Sequence, residues 1–117
     1  MLEEDTDVKT KTVACIARYE EGSWHIIDYK NHKPVHVVRI DSYDEHSFVV
    51  HFDFQAKNVL TFVCTVDETY ADYGYQCGAS VTLDCALIYV HQIEERIMPQ
   101  ELYSSANIWI YGVFEVE

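Results

Sequence analysis

The amino-acid sequence predicts a mainly β fold: a single-domain antiparallel sandwich or partly closed barrel of six or seven strands, with an α+β arrangement as the alternative. Alternation of apolar and polar residues is the dominant periodicity, as half-buried strands require. β-Branched and aromatic residues fill the apolar runs, and polar clusters that contain Gly or Pro separate them. At 117 residues the chain has the usual length of one domain with one hydrophobic core.

The first strands follow a polar start. Residues 1–11 (MLEEDTDVKTK) are mostly polar and charged, so we assign them to a tail and residues 12–117 to one globular domain. TVACIARY, SWHIIDY and VHVVRI are predicted as three strands, because β-branched and aromatic residues dominate them. Turn signals at Gly22 and Pro34 separate these strands.

The clearest strand signals lie in the middle of the chain, in FVVHFDF and VLTFVCTV. Every second residue is apolar and is expected to face a core: Phe48, Val50, Phe52 and Phe54 in the first run, and Leu60, Phe62, Cys64 and Val66 in the second. The four residues between them, QAKN (55–58), are few enough for a hairpin loop. We therefore expect these two strands to pair with each other.

The segment SVTLDCALIYVHQIEERIMP fits two structures. As a strand it alternates from Val81 onward, and as a helix it would be capped by Asp84 and closed by Pro99. Its β-branched content favours a strand as far as Val90, with a helix after it. The prediction is therefore at most one short helix near residues 84–98.

The C-terminal segment ANIWIYGVFEVE predicts a final strand that is apolar on both faces. Ile108, Ile110 and Phe114 alternate with Trp109 and Tyr111. Such a strand is either covered on both sides or forms part of a contact surface. If it were exposed at an edge, a second copy of the chain would be a candidate partner, which would give a homodimer.

Charge is the strongest functional signal in the sequence. The chain has 20 acidic and 8 basic residues, a formal net charge of −12. Residues 58–117 carry nine acidic side chains and one basic side chain, Arg96, so the C-terminal half is almost purely anionic. This sign of charge excludes nucleic acid and an anionic membrane as direct ligands, because phosphates would be repelled. It favours a basic protein, such as a nuclease toxin or another nucleic-acid-processing enzyme.

The cysteines and the N-terminus indicate a cytoplasmic protein. Cys15, Cys64 and Cys85 lie in apolar runs and are expected to be buried free thiols, whereas Cys77 lies in a turn-like segment and is expected to be the most exposed. Their spacing contains no CxxC, so it predicts neither a zinc knuckle nor a redox pair of that type. The acidic N-terminus lacks the features of a secretory signal, and no apolar run approaches the roughly 18 residues that span a bilayer.

The sequence contains no pattern typical of a metal site or a catalytic centre. His51 and Asp53 would lie roughly 6.6 Å apart on one strand face, and His36 from another strand could join them, but solvated polar residues explain the pattern equally simply. GxSxG, HExxH and glycine-rich phosphate loops are all absent from the sequence. We therefore expect no enzyme activity, no catalytic residues, no metal and no cofactor.

The stretch DETYADYGYQCG is the best candidate for a recognition surface. Its acids do not follow the DxDxDG spacing of a calcium loop. Tyrosine is enriched where proteins bind proteins, and carboxylates accept paired hydrogen bonds from arginine. The expected partner-binding residues are Asp67, Glu68, Tyr70, Asp72, Tyr73 and Tyr75, together with a second group of the same composition in the polar turn DSYDEH: Asp41, Tyr43, Asp44 and Glu45.

These observations predict a small acidic non-enzymatic inhibitor that binds and blocks a basic protein. Immunity proteins, which act as antitoxins to bacterial nucleases, have this size and acidity, and the likeness is one of physical type. A phage- or plasmid-encoded anti-defence protein that mimics DNA is the first alternative, and it would need a long anionic stripe with phosphate-like spacing. A small ligand-binding or catalytic β-barrel is the second, with Tyr89, His91 and Trp109 lining an internal cavity.

Overall fold

Eight strands form two four-stranded antiparallel sheets that pack as a sandwich in the computed structural model, which describes residues 8–94 and 96–117. The elements are β1 (Lys9–Glu20), β2 (Ser23–Ile27), β3 (Val37–Asp44), β4 (Ser47–Phe52), β5 (Asn58–Val66), α1 (Glu68–Asp72), β6 (Tyr75–Val81), β7 (Cys85–Gln92), a 3-10 helix (Gln100–Ser105) and β8 (Asn107–Val116). The predicted mainly β fold class is confirmed, with one strand more than the upper number expected. Because β1 begins at Lys9, the sheet starts three residues before the predicted boundary, and residues 1–7 of the tail lie outside the described residues.

The two sheets differ in which parts of the chain they combine. Sheet one has the order β2-β1-β8-β5, and sheet two has the order β3-β4-β7-β6. The C-terminal strand β8 lies between β1 and β5, so it is a central strand and offers no free edge. The edge-strand route to a homodimer is therefore wrong for β8.

Aromatic side chains hold the two sheets together. Trp24 of β2 packs on Phe48 of β4 with ring centroids 4.5 Å apart, and Phe114 of β8 packs on Phe52 of β4 at 4.9 Å. Each pair joins sheet one to sheet two, and all four rings are buried. Burial of such rings contributes most of the stability of a small core.

The predicted hairpin between FVVHFDF and VLTFVCTV is wrong. The first run forms β4 in sheet two and the second forms β5 in sheet one, so residues 53–57 cross from one sheet to the other. The crossing is anchored because the buried Ala56 donates its backbone N–H to Leu83 O at 2.7 Å, and Lys57 donates to Glu115 O at 2.7 Å. Alternation predicted the core-facing residues of both runs except Leu60, which is 52% exposed where the register of β5 shifts between Val59 and Thr61. Either pairing of the two strands would bury the same faces.

The short helix lies elsewhere than expected. Cys85–Gln92 is strand β7, paired on both sides by β4 and β6, and Asp84 caps no helix. The helical elements are α1 and the 3-10 helix, in the connections that follow β5 and β7. Neither is long or apolar enough to cross a membrane, nor is any other helix in the described part of the chain. Residues 85–92 form a strand in spite of their weak helical pattern, because pairing with β4 and β6 adds to the strand propensity of their β-branched residues.

Gly112 in the centre of β8 is required by packing. A Cβ at this position would lie 2.7 Å from Phe62 Cδ2 and 3.0 Å from Phe114 Cε1. We predict that Gly112→Ala lowers the free energy of unfolding by about 1–2 kcal/mol, because two aromatic rings must move. Gly78→Ala in β6 is the matched control, since a Cβ there meets nothing within 4 Å. Urea denaturation of both variants checks this, and equal stability of the two would contradict it.

Candidate protein-binding site

Four connections between strands meet at one end of the sandwich, which we call the acidic end. It comprises residues 20–22, 44–46, 67–74, 93–94 and 96–106. These are the β1–β2 turn, the β3–β4 turn, the α1 connection and the connection that contains the 3-10 helix. The opposite end carries the start of β1, the end of β8 and the connections 53–57 and 82–84. The connection 28–36 instead folds back along sheet one, where Val35 pairs with Ala14 and Lys33 lines a pocket with Trp109.

Strand register places these connections together. The pairs nearest the acidic end are Glu20–Ser23, Arg18–Asn107 and Val66–Ile108 in sheet one, and Asp44–Ser47 and Tyr75–Gln92 in sheet two. Trp24 Nε1 donates to the carbonyl oxygen of Asp44 at 2.9 Å, which joins the β1–β2 and β3–β4 turns. Asp67 N donates to Asn107 O at 3.0 Å, which joins the α1 connection to β8.

Charge is unevenly distributed over the described residues. The acidic end includes nine carboxylates and one cation: Glu20, Glu21, Asp44, Glu45, Asp67, Glu68, Asp72, Glu94 and Glu101 against Arg96. The other described residues carry six carboxylates and seven cations: Asp28, Asp41, Asp53, Asp84, Glu115 and Glu117 against Lys9, Lys11, Arg18, Lys30, Lys33, Arg39 and Lys57. Of these cations, Arg18 lies beside the acidic end, where its Nε donates to Asn107 Oδ1 at 2.9 Å. Among the described residues the excess of negative charge is therefore concentrated at the acidic end.

The single cation of the acidic end is engaged within the protein. Arg96 Nη1 donates to the carbonyl oxygen of Asp72 at 2.8 Å, and Arg96 Nη2 lies 2.9 Å from Glu94 Oε2. Arg96 thereby ties the segment after β7 to the end of α1. Its guanidinium neutralises little of the surrounding charge, because nine carboxylates share this end.

The side chain of Asp67 fixes the start of helix α1, whose first residue is Glu68. Asp67 is the N-cap, and its Oδ1 accepts a hydrogen bond from Tyr70 N at 3.3 Å. Its Oδ2 accepts a second bond from Asn107 N at 2.7 Å. Asp67 was expected to bind a partner, but both of its carboxylate oxygens serve the fold.

Two of the tyrosines expected at the surface are part of the core. Tyr70 is 1% exposed and Tyr75 is 8% exposed, and their rings form a T-shaped pair with centroids 5.2 Å apart. The physical reason is that α1 is a short amphipathic helix: its buried face carries Tyr70, and Glu68 and Asp72 are exposed. Tyr75 opens β6 with its side chain toward the core, so neither ring is available to a partner.

Tyr73 occupies an intermediate position. It caps the C-terminal end of α1, its ring is half-buried against the core, and Gln92 Nε2 donates to its carbonyl oxygen at 2.8 Å. Gly74 follows with a φ of +78°, a conformation that favours glycine. Of the six residues proposed in this stretch, Glu68 and Asp72 are the ones that the structure exposes.

The β3–β4 turn is exposed as expected. Tyr43 is 69% exposed, and Asp44 and Glu45 are also exposed. Hydrogen bonds from His46 N at 2.8 Å and from Ser47 Oγ at 3.0 Å lower the pKa of Asp44 below its ordinary value. The negative charge of this turn therefore persists to more acidic pH than that of a free aspartate.

Asp41 lies within strand β3, three residues before the turn. Hydrogen bonds from Arg39, and then from His51 at 2.8 Å, lower the pKa of its carboxyl group. Asp41 therefore remains ionised, but it already has two partners on the outer face of sheet two. We regard it as a neighbour of the contact surface.

The two groups of candidate residues lie within reach of one partner. The β3–β4 turn and α1 adjoin opposite edges of sheet two, and β4 and β7 lie between them. Three strand spacings of about 4.8 Å separate the edges by roughly 14 Å, which is well within one ordinary protein interface. Sequence reasoning missed Glu20, Glu21, Glu94 and Glu101, although the turn at Glu20–Gly22 was recognised, because only strand pairing reveals that these acids share the same end.

The histidines form separate pairs with carboxylates. His36 Nδ1 lies 2.9 Å from Asp53 Oδ1, and His51 pairs with Asp41. The three-residue combination of His36, His51 and Asp53 that we considered for zinc is thus divided between two pairs. Among residues 8–94 and 96–117, no group of three or more His, Cys, Asp or Glu side chains is arranged to hold a metal ion.

The expected internal cavity of a ligand-binding barrel is not formed by the residues proposed for it. Trp109 is 38% exposed on the outer face of sheet one, whereas Tyr89 and His91 are exposed on sheet two. Trp109 and Tyr111 instead line a shallow apolar pocket of about 240 Å³ on that outer face, beside His32. The ring of Trp109 meets His32 edge-on at 5.8 Å.

Comparison with known proteins supplies no further guide to the site. No protein-family model, curated protein or solved structure shows significant similarity to this chain.

Proposed function

We propose that this protein is a small non-enzymatic inhibitor that binds a basic protein through its acidic end. The biological class that fits best is an immunity protein that neutralises a bacterial nuclease toxin in the cytoplasm, where the nucleic acid to be protected is found. The observation that carries the proposal is the distribution of charge: nine carboxylates and one cation at the acidic end, against six carboxylates and seven cations over the other described residues.

The chemistry of a nuclease groove complements this end. Such grooves use arginine and lysine to hold phosphates, and carboxylates can occupy the same donors with paired hydrogen bonds. The field of a polarised protein orients it as a basic partner approaches and can raise the association rate by one to three orders of magnitude at low salt. An inhibitor that blocks the groove needs no catalytic residues of its own.

The proposed contact residues are those that combine exposure with the right chemistry. Glu68 and Asp72 project from α1, and Glu45 projects from the β3–β4 turn. Tyr43 supplies a large, rigid and amphipathic ring beside them, with 69% of its surface accessible. Asp44 adds a carboxylate whose orientation is held by its bonds to His46 and Ser47.

A DNA mimic is the second candidate. It would need carboxylates spaced like phosphates along a stripe that several DNA-binding enzymes could accept. Nine of the 15 carboxylates of the described residues instead gather at the acidic end, and the other six are scattered among seven cations. This distribution fits one cognate partner better, so we rank the inhibitor first.

A charge-reversal experiment tests the proposal. We predict that the triple variant Glu45→Lys, Glu68→Lys and Asp72→Lys binds the basic partner at least roughly a hundredfold more weakly than the unmodified protein. The partner is first recovered at low salt from the native host with tagged protein and identified. The Kd is then measured with purified partner at several salt concentrations, and nuclease activity of the partner is assayed with and without the protein.

The matched control reverses three acids outside the acidic end: Asp28→Lys, Asp84→Lys and Glu117→Lys. Both variants change the net charge by the same amount, so only the position differs. We expect the control to retain binding and to inhibit the partner. Equal weakening by both triple variants would show that only net charge matters and would contradict the proposed surface.

A further inference from the structure

Two cysteines lie on the edge strands at which the two sheets adjoin. Cys64 is in β5, at the edge of sheet one, and Cys77 is in β6, at the edge of sheet two. Both side chains are half-buried and pack against the core from opposite sheets. Helix α1 joins the two strands, and each cysteine lies two residues from the strand end next to α1, at Val66 and Tyr75. The two cysteines therefore lie at the same height along their strands, two residues from the end that carries α1.

The two cysteines lie near each other. Each thiol shifts the pKa of the other, an interaction that acts only at short range. The strands that carry them approach until Cα atoms of β5 and β6 lie within 8 Å, closer than the roughly 10 Å between typical stacked sheets. A disulfide requires a Cα separation of about 4.4–6.8 Å, which a small movement of two edge strands can reach. Edge strands move more readily than central ones, because they are paired on one side only.

We propose that Cys64 and Cys77 are a redox-active pair that forms a reversible disulfide between the two sheets when the protein meets a peroxide. The inference is independent of the identity of any protein partner. In a reducing compartment the pair is a dithiol, as expected for a cytoplasmic protein, and cytoplasmic disulfides are usually transient and redox-sensing. Oxidation adds a covalent link between the edge strands β5 and β6, and so between the two sheets.

The reaction needs only these two thiols and hydrogen peroxide. The Cys64 thiolate attacks one peroxide oxygen, the O–O bond breaks, and the released hydroxide takes up a proton to give water and a sulfenic acid on Cys64. The Cys77 sulfur then attacks the sulfenic sulfur, so the S–S bond forms, the S–O bond breaks and the Cys77 proton leaves with the hydroxide as a second water. Two thiols lose two electrons in total, and one peroxide becomes two waters.

The opposite pKa shifts of the two thiols indicate which sulfur attacks the peroxide and which attacks the sulfenic acid. The hydrogen bond from Cys77 lowers the pKa of the Cys64 thiol and raises that of Cys77, so Cys64 is the thiolate that reacts first. Cys15 is a poor competitor, because burial raises its pKa to about 12. Cys85 is in β7 and contacts Thr82 Oγ1 at 3.3 Å through its sulfur. Cys77 was expected to be the most exposed thiol, and Cys64 and Cys85 were expected to be buried. The structure buries Cys15 and leaves Cys64, Cys77 and Cys85 all half-buried, because the last three lie on strands near the surface of the sandwich.

The disulfide would close a loop that contains α1. This loop includes Glu68 and Asp72, so oxidation would restrain the part of the acidic end that α1 carries. Closing a loop of about this length reduces the entropy of the unfolded chain, and we expect the Tm to rise by roughly 10 °C. Reduction with dithiothreitol should reverse the rise.

Mass spectrometry of the full-length folded protein tests the proposal without requiring any variant. The folded protein is treated with hydrogen peroxide, the chain is then unfolded in urea so that every free thiol can be blocked with N-ethylmaleimide, and it is digested at acidic residues. Trypsin is unsuitable, since Lys57 and Arg96 bracket Cys64, Cys77 and Cys85 in one peptide. Cleavage at Asp67, Glu68 and Asp72 separates Cys64 from Cys77, and cleavage at Asp84 separates Cys77 from Cys85.

The expected result is an intact mass lower by two hydrogens before blocking, a linked peptide pair containing Cys64 and Cys77, and two blocked thiols at Cys15 and Cys85. Cys85→Ser is the matched control and should behave like the unmodified protein. Cys64→Ser and Cys77→Ser should show neither the link nor the rise in Tm. Recovery of Cys64 and Cys77 as blocked thiols or as sulfinic acids, or linked to any other cysteine, would overturn the proposal.

Discussion

Replacing Tyr70 by alanine should lower the free energy of unfolding by about 3–5 kcal/mol, the largest effect that we expect from a single side chain of the acid-tyrosine stretch. Tyr70 is 1% exposed and its ring packs edge-on against that of Tyr75 at 5.2 Å. Truncation to alanine would leave a cavity beneath α1, a helix of five residues that has little stability of its own. Urea denaturation monitored by circular dichroism measures the loss.

Tyr43→Ala is the matched control, because it removes the same side chain from an exposed position. Its effect on stability should stay within about 0.5 kcal/mol, as for most surface substitutions. The same variant should weaken binding to the basic partner, whereas Tyr70→Phe should leave the contact surface unchanged. If Tyr43→Ala destabilised the fold as much as Tyr70→Ala, the assignment of one ring to the surface and the other to the core would be wrong.

Asp67→Ala should lower the free energy of unfolding by about 2–3 kcal/mol. One oxygen of this carboxylate caps α1 through Tyr70 N, and the other accepts from Asn107 N at 2.7 Å. Removing it leaves two backbone N–H groups without their acceptor, and the bond from the backbone N–H of residue 67 to Asn107 O then remains between the α1 connection and β8. The loss exceeds that of a simple N-cap, which is worth about 1 kcal/mol, because the Asn107 bond joins elements that are far apart in the sequence.

Two further variants define the origin of this effect. Asp67→Asn retains one acceptor oxygen, so it should cost roughly half as much as Asp67→Ala. Asp72→Ala, at the exposed end of the same helix, should change stability by no more than about 0.5 kcal/mol. A similar loss for Asp67→Ala and Asp72→Ala would indicate that negative charge, and not the pair of hydrogen bonds, stabilises this connection.

Local pattern was sufficient to predict the class of the fold. Alternation in FVVHFDF correctly assigned Phe48, Val50 and Phe52 to the core, and turn signals separated the strands. The same reasoning failed for the location of the helix, because the residues of α1 look like a polar loop. A helix of five residues leaves too short a pattern to be distinguished from a turn.

Composition alone predicted that the candidate site is acidic and contains tyrosine, but it did not predict which residues are exposed there. Tyr43, Tyr70 and Tyr75 are the same residue type in similarly acidic surroundings, yet the first is exposed and the other two are buried. Their positions depend on the course of α1 between the two sheets. Glu20 and Glu101 join the same end of the molecule only because β1 and β8 are neighbours in sheet one.

The sequence by itself determined that this is a β-rich chain with a strong negative charge, because period-two alternation and net charge are properties of residue order and composition. Only the tertiary structure decided that β4 and β5 belong to different sheets, that four connections rich in acids share one end, and that Cys64 and Cys77 lie on adjoining edge strands. The physical reason is that alternation specifies the face of a strand to which each side chain points. The neighbour of that strand is selected by packing between residues that are distant in the chain, as β1 is from β8.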